Sequence, residues 1–101
     1  LLFPPETRAV LIHFRGEQEI RTSETAQAFA DALEGRLPAD AEVAGPMPSP
    51  LAKIRAKYRY QMMIRTHNIV ALTKILRPIL MNRKKGGDVE IYADVDPVSL
   101  M

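Results

Sequence analysis

Hydrophobic and polar residues alternate with a period of two from Leu51 to Arg65. Successive side chains of a β-strand point to opposite faces, so at least the later part of this segment is predicted to be a strand with one apolar and one cationic face. The apolar side consists of Ile54, Ala56, Tyr58, Tyr60, Met62 and Ile64, and the cationic side consists of Lys53, Arg55, Lys57, Arg59, Gln61 and Arg65. Basic groups at every second strand residue stand about 7 Å apart, a spacing that suits an extended phosphodiester backbone.

The N-terminal half of the chain predicts a strand followed by a helix. Residues 7–14 are a β-branched and apolar run, which Gly16 and the polar residues after it bring to an end. Thr22 or Ser23 then offers a cap for a helix that ends at Pro38. The inward face of this helix is predicted to be Ala26, Phe29, Ala30, Leu33 and Leu37.

The C-terminal half predicts two further strands besides the cationic one, and a second helix. A short strand is predicted at residues 42–44, and the proline-rich residues 45–50 are predicted to be an extended connection because they offer too few N–H donors for a central strand. Asn68 is predicted to cap the second helix, in which Pro78 should cause a kink or a break. Its inward positions are Ile69, Leu72, Ile75, Leu76, Ile79 and Leu80. Residues 88–96 alternate again, with acids on one face and Val89, Ile91, Ala93 and Val95 on the other.

These elements follow the order β-α-β-β-α-β, the ferredoxin-like arrangement of an α+β protein. It has one four-stranded sheet with both helices on one face, and its other face is open. With strands one and three in the centre, the open face should carry cations on one side and the acids of strand four on the other, with His13 or Arg15 between them. At 101 residues the chain is predicted to be one domain, residues 1–101.

Charge is distributed unevenly along the chain. Residues 1–49 contain four Arg and eight acids, whereas residues 50–101 contain ten Lys and Arg and four acids, so the net charge of +2 divides into −4 and +6. Alternation concentrates the cations on one face, which favours a surface for a polyanion or an acidic peptide over a merely solvated face. Arg59 and Gln61 are the first candidates for contacts with phosphate, sugar or base edges; the alternative is that both tie neighbouring strands together.

Two other groups of residues have an alternative role as well. The basic residues Arg83, Lys84 and Lys85 are predicted to be a flexible electrostatic arm, or else a solubilising loop. Tyr58 and Tyr60 fall on the apolar side and are predicted to be core residues rather than platforms on which bases stack.

Metal and catalytic sites have little support in the sequence. With no cysteine, the chain has no disulfide and no thiolate zinc site. Asp94 and Asp96 are a weak signal for a cation site and are predicted instead to form ion pairs with a neighbouring strand or to pack against a part of the protein that lies outside this chain. His13 and His67 have no nearby cysteine or acid motif, so neither a metal role nor a general-base role is predicted.

No apolar run approaches the roughly 20 residues that span a bilayer, so no membrane partner is predicted. The chain starts with Leu1 and has no basic segment typical of a signal peptide. We therefore expect a fragment cut from a longer protein, although trimming or processing would leave the same end.

Three motifs in order resemble one known family. Residues 45–51 read Gly-Pro-x-Pro-x-Pro-Leu, residues 58–61 read Tyr-Arg-Tyr-Gln, and residues 94–100 read Asp-Val-Asp-Pro-Val-Ser-Leu. This order resembles the C-terminal domain of primosomal protein N′, the PriA family of bacterial replication-restart helicases. Phe3-Pro4-Pro5 also resembles the family's entry into this domain, so the resemblance covers nearly the whole chain.

The resemblance implies a parent protein that is an ATP-dependent 3′-to-5′ DNA helicase of the bacterial cytoplasm. ATP, magnesium and zinc are implied for that parent. This chain lacks a phosphate loop and zinc-binding cysteines, so it is predicted to be a non-catalytic C-terminal fragment without a cofactor of its own. In the family, this domain resembles a ribosomal-protein fold, contributes to DNA binding and holds the fork against the helicase core.

Three classes of function remain at this point. The first is a DNA-binding module that helps a helicase recognise stalled or branched forks and single-stranded DNA during primosome assembly. The second is a protein-interaction module that docks on the helicase core of the same chain, or holds the acidic tail of single-stranded DNA-binding protein or another primosome protein. A small hydrolase of the acylphosphatase type is disfavoured, because no glycine-rich anion loop is paired with an Arg and an Asn.

Overall fold

The computed structural model describes residues 7–81 and 88–95. Within these ranges the elements follow the predicted order: β1 Arg8–Gly16, α1 Glu19–Leu33, β2 Glu42–Ile54, β3 Lys57–Thr66, α2 Ile69–Met81 and β4 Val89–Val95. The strands form one four-stranded sheet in the order β2-β3-β1-β4. All three neighbouring pairs are antiparallel. The ferredoxin-like α+β fold is therefore confirmed, with β1 and β3 as the central strands.

The hydrophobic core lies between one face of the sheet and the two helices. From the central strands it takes Val10, Ile12, Phe14, Met62 and Ile64, all at most 1% exposed. These residues occupy every second position, as a strand with one buried face requires. Helix α1 adds Ala26, Phe29 and Leu33, and α2 adds Leu72 and Leu76. Both helices therefore cover the same face of the sheet, and the opposite face is free of them.

Strands β2 and β3 are joined by a two-residue turn at Arg55 and Ala56. The φ angles of these residues are 52° and 65°, and Ile54 pairs with Lys57 directly across the turn. The later part of residues 51–65 is therefore a strand as predicted, and the turn separates Lys53 and Arg55 from it. Positive φ at both central residues is usual for such hairpins, but it normally requires Gly, Asn or Asp. Because Arg and Ala occupy these positions, no residue typical of such a turn indicated it in the sequence.

Strand β2 is longer than predicted because it includes the proline-rich residues 45–50. Their interpretation as a connection outside the sheet was wrong, although they avoid the centre as expected. β2 is an edge strand of the described sheet. A proline is tolerated at an edge because its missing N–H faces away from the neighbouring strand. The pairing with β3 is irregular here, with register shifts between Ala44 and Met47 and between Pro48 and Lys53.

Helix α1 begins and ends earlier than predicted. It starts at Glu19, so Thr22 lies in the first turn rather than at the cap, where its buried hydroxyl donates to the Gln18 carbonyl oxygen at 2.7 Å. It ends at Leu33 because Gly35 adopts a φ of 81°, the left-handed conformation that commonly ends a helix. Leu37 therefore lies outside the helix, although it packs against the core as predicted.

Helix α2 agrees closely with the prediction. The Asn68 side-chain oxygen accepts a hydrogen bond from the Ala71 N–H at 3.1 Å, which confirms the N-cap. All six predicted inward positions belong to the core or pack against it. The helix continues through Pro78 to Met81, so the predicted break does not occur.

Asp40 connects the loop before β2 to the turn between β3 and α2. Its carboxylate accepts hydrogen bonds from the Thr66 hydroxyl at 2.6 Å, the His67 backbone N–H at 2.6 Å and the His67 Nδ1 at 2.9 Å. The Thr66 hydroxyl in turn accepts a bond from the Asn68 N–H at 3.0 Å. These donors, with Thr66 contributing most, lower the pKa of Asp40 to about 2.

Replacing Ile12 with Ala should destabilise the fold by about 2–5 kcal/mol, because it leaves a cavity in the core. The matched control is Ile20→Ala, which removes the same atoms from a side chain that is 73% exposed, against 0% for Ile12. The control should change the free energy of unfolding by no more than about 0.5 kcal/mol. Urea unfolding followed by circular dichroism measures both. Equal losses in the two variants would contradict this assignment of the core.

Acid should weaken the fold through Asp40. A carboxyl group whose pKa is lowered by folding stabilises the native state above its unfolded pKa, and that contribution disappears as the pH falls from about 4 to about 2. Thermal unfolding across this range should therefore show a steeper loss of stability in the wild type than in Asp40→Asn. Thr66→Val removes the main donor to Asp40, so its loss should be smaller than in the wild type and should end at a higher pH. A difference between wild type and Asp40→Asn that is constant with pH would count against this role.

Candidate nucleic-acid interface

The open face of the sheet, opposite the helices, carries charged, amide and aromatic side chains. Pairing of β1 with β3 and β4 aligns them in rows across three strands: Arg59–Arg15–Glu90, Gln61–His13–Tyr92 and a third row, Met63–Leu11–Asp94, that also contains two apolar residues. Adjacent strands are about 4.8 Å apart, so members of one row are in reach of each other. The predicted arrangement, with cations towards β3 and acids towards β4, is confirmed for these residues.

Glu90 neutralises part of the positive charge on this face. It accepts three hydrogen bonds of 2.9–3.1 Å from the Arg15 guanidinium, and the Lys57 Nζ lies 3.7 Å from its Oε1. The hydrogen bonds between Arg15 and Glu90 are the main reason why the pKa of Glu90 is lowered and that of Arg15 is raised. Arg15 and Lys57 therefore offer less charge to a ligand than their number in the sequence suggests.

The far end of the open face contains a second ion pair. Arg65 on β3 donates a hydrogen bond to Glu42, its partner on β2. The predicted contact of Arg65 with nucleic acid would therefore have to compete with an intramolecular carboxylate. This pair also ties the edge strand β2 to the sheet.

Arg59 differs from these paired cations. In the part of the chain that the structure describes, its guanidinium has no carboxylate within ion-pair distance, and its buried Nε has no hydrogen-bond partner. A buried donor without an acceptor costs free energy that a bound acceptor would recover. Gln61, the next residue on this face, likewise makes no side-chain hydrogen bond within the described ranges. The two residues favoured from the sequence are thus the two that remain available.

Two of the predicted cations do not belong to the row on β3. Lys53 lies on β2 opposite Tyr58, so it points to the helix side of the sheet, where its Nζ is 5.0 Å from the centre of the Tyr58 ring. Arg55 lies in the turn and is exposed at the end of the hairpin. The two-residue turn displaces both from the predicted strand. The predicted arm Arg83, Lys84 and Lys85 lies outside the described residues.

An aromatic pair on the open face has no counterpart among the predicted binding residues. The rings of His13 and Tyr92 stack with centroids 4.6 Å apart and planes inclined by 16°. Tyr92 is 38% exposed, although it is a large side chain. It lies at the same alternate positions of β4 as Glu90 and Asp94, and this period-two pattern was the signal that placed it on the open face. Tyr58 and Tyr60 point to the helix side, as predicted. Tyr92 was not among the predicted binding residues.

His13 is held in place by Asp94. Its Nε2 lies 3.0 Å from the Asp94 Oδ2, so Asp94 contacts a charged or polar group on the neighbouring strand β1. Asp96, the other residue of the weak cation-site signal in the sequence, lies outside the described residues.

The profile of the family described as "Primosomal protein N C-terminal domain" matches residues 1–98. The chain belongs to this family. The resemblance seen in the three sequence motifs is therefore confirmed.

Curated relatives of the chain are replication restart proteins. It is 35% identical over 99 residues to the probable replication restart protein PriA of Deinococcus radiodurans, covering 98% of the chain and 10% of that protein. It is 30% identical over 102 residues to the replication restart protein PriA of Bacillus subtilis, covering 98% of the chain and 13% of that protein. The chain thus spans about a tenth of the length of the curated relatives it matches.

Among solved structures, the chain is similar to the de novo designed protein Foldit4, with a TM-score of 0.51 and 18% identity over 87% of this chain and 96% of that one. This similarity concerns the fold alone. No helix in residues 7–81 is long and apolar enough to cross a membrane.

Two of the primosomal protein N motifs lie on neighbouring strands, β2 and β3. The Tyr-Arg-Tyr-Gln motif, residues 58–61, lies at the start of β3, where its two tyrosines face the helices and Arg59 and Gln61 face the open side. The Gly-Pro-x-Pro-x-Pro-Leu motif, residues 45–51, forms the edge strand beside it. Two motifs therefore form the β3 side of the open face.

Removing the Arg15 guanidinium should raise the pKa of Glu90 towards that of an ordinary glutamate. The Arg15→Gln variant loses the hydrogen bonds that lower this pKa most. Lys57→Gln serves as the matched control and should raise it less, because Lys57 makes a single 3.7 Å contact. NMR titration of the Glu90 carboxyl group measures both. A larger shift in Lys57→Gln than in Arg15→Gln would contradict the described network.

Proposed function

We propose that this chain is a non-catalytic DNA-binding domain of a PriA replication restart protein, and that it helps that protein to recognise branched forks and single-stranded DNA. Membership of the primosomal protein N C-terminal domain family supports a place in replication restart. The observation that carries the DNA-binding part is Arg59, a cation on an open sheet face whose buried Nε has no acceptor among the described residues.

The chemistry of Arg59 suits phosphate. A guanidinium presents several N–H donors in a fixed plane and binds a phosphate through two parallel hydrogen bonds. Gln61 stands two residues further along the same strand face and offers both a donor and an acceptor. Contacts of this kind position a DNA backbone and carry no sequence information, so binding is expected to be independent of sequence.

Charge on both sides of Arg59 defines a direction across the sheet. The hairpin end beside it presents Arg55 and Lys57, whereas the β4 side presents the carboxylates of Glu90 and Asp94. A polyanion would therefore follow β3 and the hairpin and avoid β4. This path includes four of the predicted residues, namely Arg55, Lys57, Arg59 and Gln61. Arg65 would contribute from one margin only, and Lys53 points to the helix side, away from this path.

The activities implied for the whole PriA protein belong to parts beyond this chain. We propose that ATP, magnesium and zinc act in those parts, and that this chain contacts the helicase core there. The chain spans only 10% and 13% of the length of two such relatives, which supports this placement.

A protein-interaction role is the second candidate, and the outer face of α2 supports it. Val70 and Met81 are 62% and 74% exposed there, and Lys74 and Arg77 are exposed between them. Apolar groups interspersed with cations suit an acidic and hydrophobic segment, such as the tail of single-stranded DNA-binding protein, or a surface of the helicase core. An acidic peptide that binds without changing the affinity for DNA would assign this face to a protein.

Replacing Arg59 with Gln should weaken binding to single-stranded and forked DNA about tenfold, because it removes a charge-assisted hydrogen bond to phosphate. The slope of log K against log salt on single-stranded DNA should become shallower by about 0.7, the loss of one phosphate contact. Fluorescence anisotropy at several salt concentrations measures both quantities, and several DNA sequences should be affected equally.

Arg77→Gln is the matched control for this experiment. It makes the same chemical change and the same change in net charge at an exposed position of α2, in the helical layer rather than on the open face. It should leave DNA affinity within about twofold of the wild type, since distant exposed charges are screened by salt. Equal losses in the two variants would show that net charge, rather than the open face, governs binding.

A further inference from the structure

We propose that the open face binds single-stranded DNA by stacking an unpaired base on the ring of Tyr92 while Arg59 binds the phosphate of the same strand. This inference rests on the proposed DNA-binding function and adds to it the part of the DNA that is recognised. It predicts a preference for DNA whose bases are unpaired.

The aromatic pair offers one free stacking surface. His13 covers one face of the Tyr92 ring, so the exposed part of this side chain includes the opposite face. Tyr92 belongs to β4, an edge strand of the described sheet, where no further strand hinders an approaching ring. Stacking of a base on an aromatic side chain is tolerant of sequence because every base has a π face.

The platform is rigid before any ligand arrives. The imidazole of His13 is fixed by its 3.0 Å contact with Asp94, and in turn it supports the phenol ring of Tyr92. A preformed surface loses little conformational entropy when it binds, which improves affinity.

Charge determines how a bound DNA strand would be oriented on the open face. Tyr92 on β4 and Arg59 on β3 are separated by β1 and lie in adjacent rows, two residues apart along the strands, so their backbones are about 12 Å apart. A nucleotide together with an extended arginine side chain bridges that distance. The carboxylates of Glu90 and Asp94 flank Tyr92 on the same face and repel phosphate. The phosphate therefore lies towards β3 and the base towards β4.

A duplex does not fit this site equally well. Within a double helix both faces of each base are covered by neighbouring base pairs, and only its edges and the backbone are accessible. Arg59 would still contact the phosphates of a duplex, but Tyr92 would have no base to stack on. The two residues thus have separable roles, since Arg59 serves any DNA and Tyr92 serves only unpaired bases.

The test compares an oligothymidine of about 12 nucleotides with an abasic oligonucleotide of the same length, because the two carry equal charge and differ only in their bases. Fluorescence anisotropy should show the wild-type chain binding the oligothymidine about tenfold more tightly than the abasic strand. Tyr92→Leu should abolish this preference and leave the affinity for the abasic strand unchanged, whereas Tyr92→Phe should retain it.

Tyr58→Leu is the matched control, because it makes the same change on the helix side of the sheet. It should preserve the preference for the oligothymidine. Equal wild-type affinity for both oligonucleotides, or an unchanged preference in Tyr92→Leu, would overturn the stacking site while leaving DNA binding through Arg59 intact. Absence of binding to either oligonucleotide at low salt would overturn the proposed function together with this inference.

Discussion

The pairing of β1 with β3 is the contact on which the rest of the structure depends. Ile12 lies opposite Met62, and His13 lies opposite Gln61. The first pair faces the helices and the second faces the open side, so one register determines both surfaces. A slip by one residue would exchange the two faces of a strand. Burial of Ile12 and Met62 therefore also positions the polar residues of the candidate interface.

This dependence explains what could be predicted from the sequence. Burial acts on every second residue of β3, and it leaves apolar and polar residues in alternation that identify Arg59 and Gln61 as outward-facing. The cap at Asn68 was equally readable, because it needs only local hydrogen bonds. The turn at Arg55 and Ala56 was not, since it rests on backbone angles that these residues seldom adopt. Helix α1 ends early because of Gly35. The apolar residues Leu33 and Leu37 on either side of Gly35 fit the helical pattern, so the pattern predicted a longer helix.

The candidate site was harder to predict than the fold, because its charges meet across strands. Arg15 and Lys57 share Glu90, which lies more than thirty residues further along the chain than Lys57. In a count of charges from the composition, Arg15 and Lys57 are free cations. The strand order shows that Glu90 partly neutralises both. The stack of His13 and Tyr92 is likewise a contact between β1 and β4, and no local pattern joins the two residues. Charge patterning therefore indicated which side chains face the open side but overestimated their positive charge.

The proline-rich part of β2 has a consequence for association between molecules. The exposed edge of a sheet invites strands of other proteins to add to it, and proline is one of the residues that prevent this. Pro46, Pro48 and Pro50 have no N–H to donate, and the pairing of this stretch with β3 is irregular. This margin of the sheet is therefore poor in donors for an incoming strand. A chain that presents an open polar face to a ligand is thus protected from aggregation along the neighbouring edge.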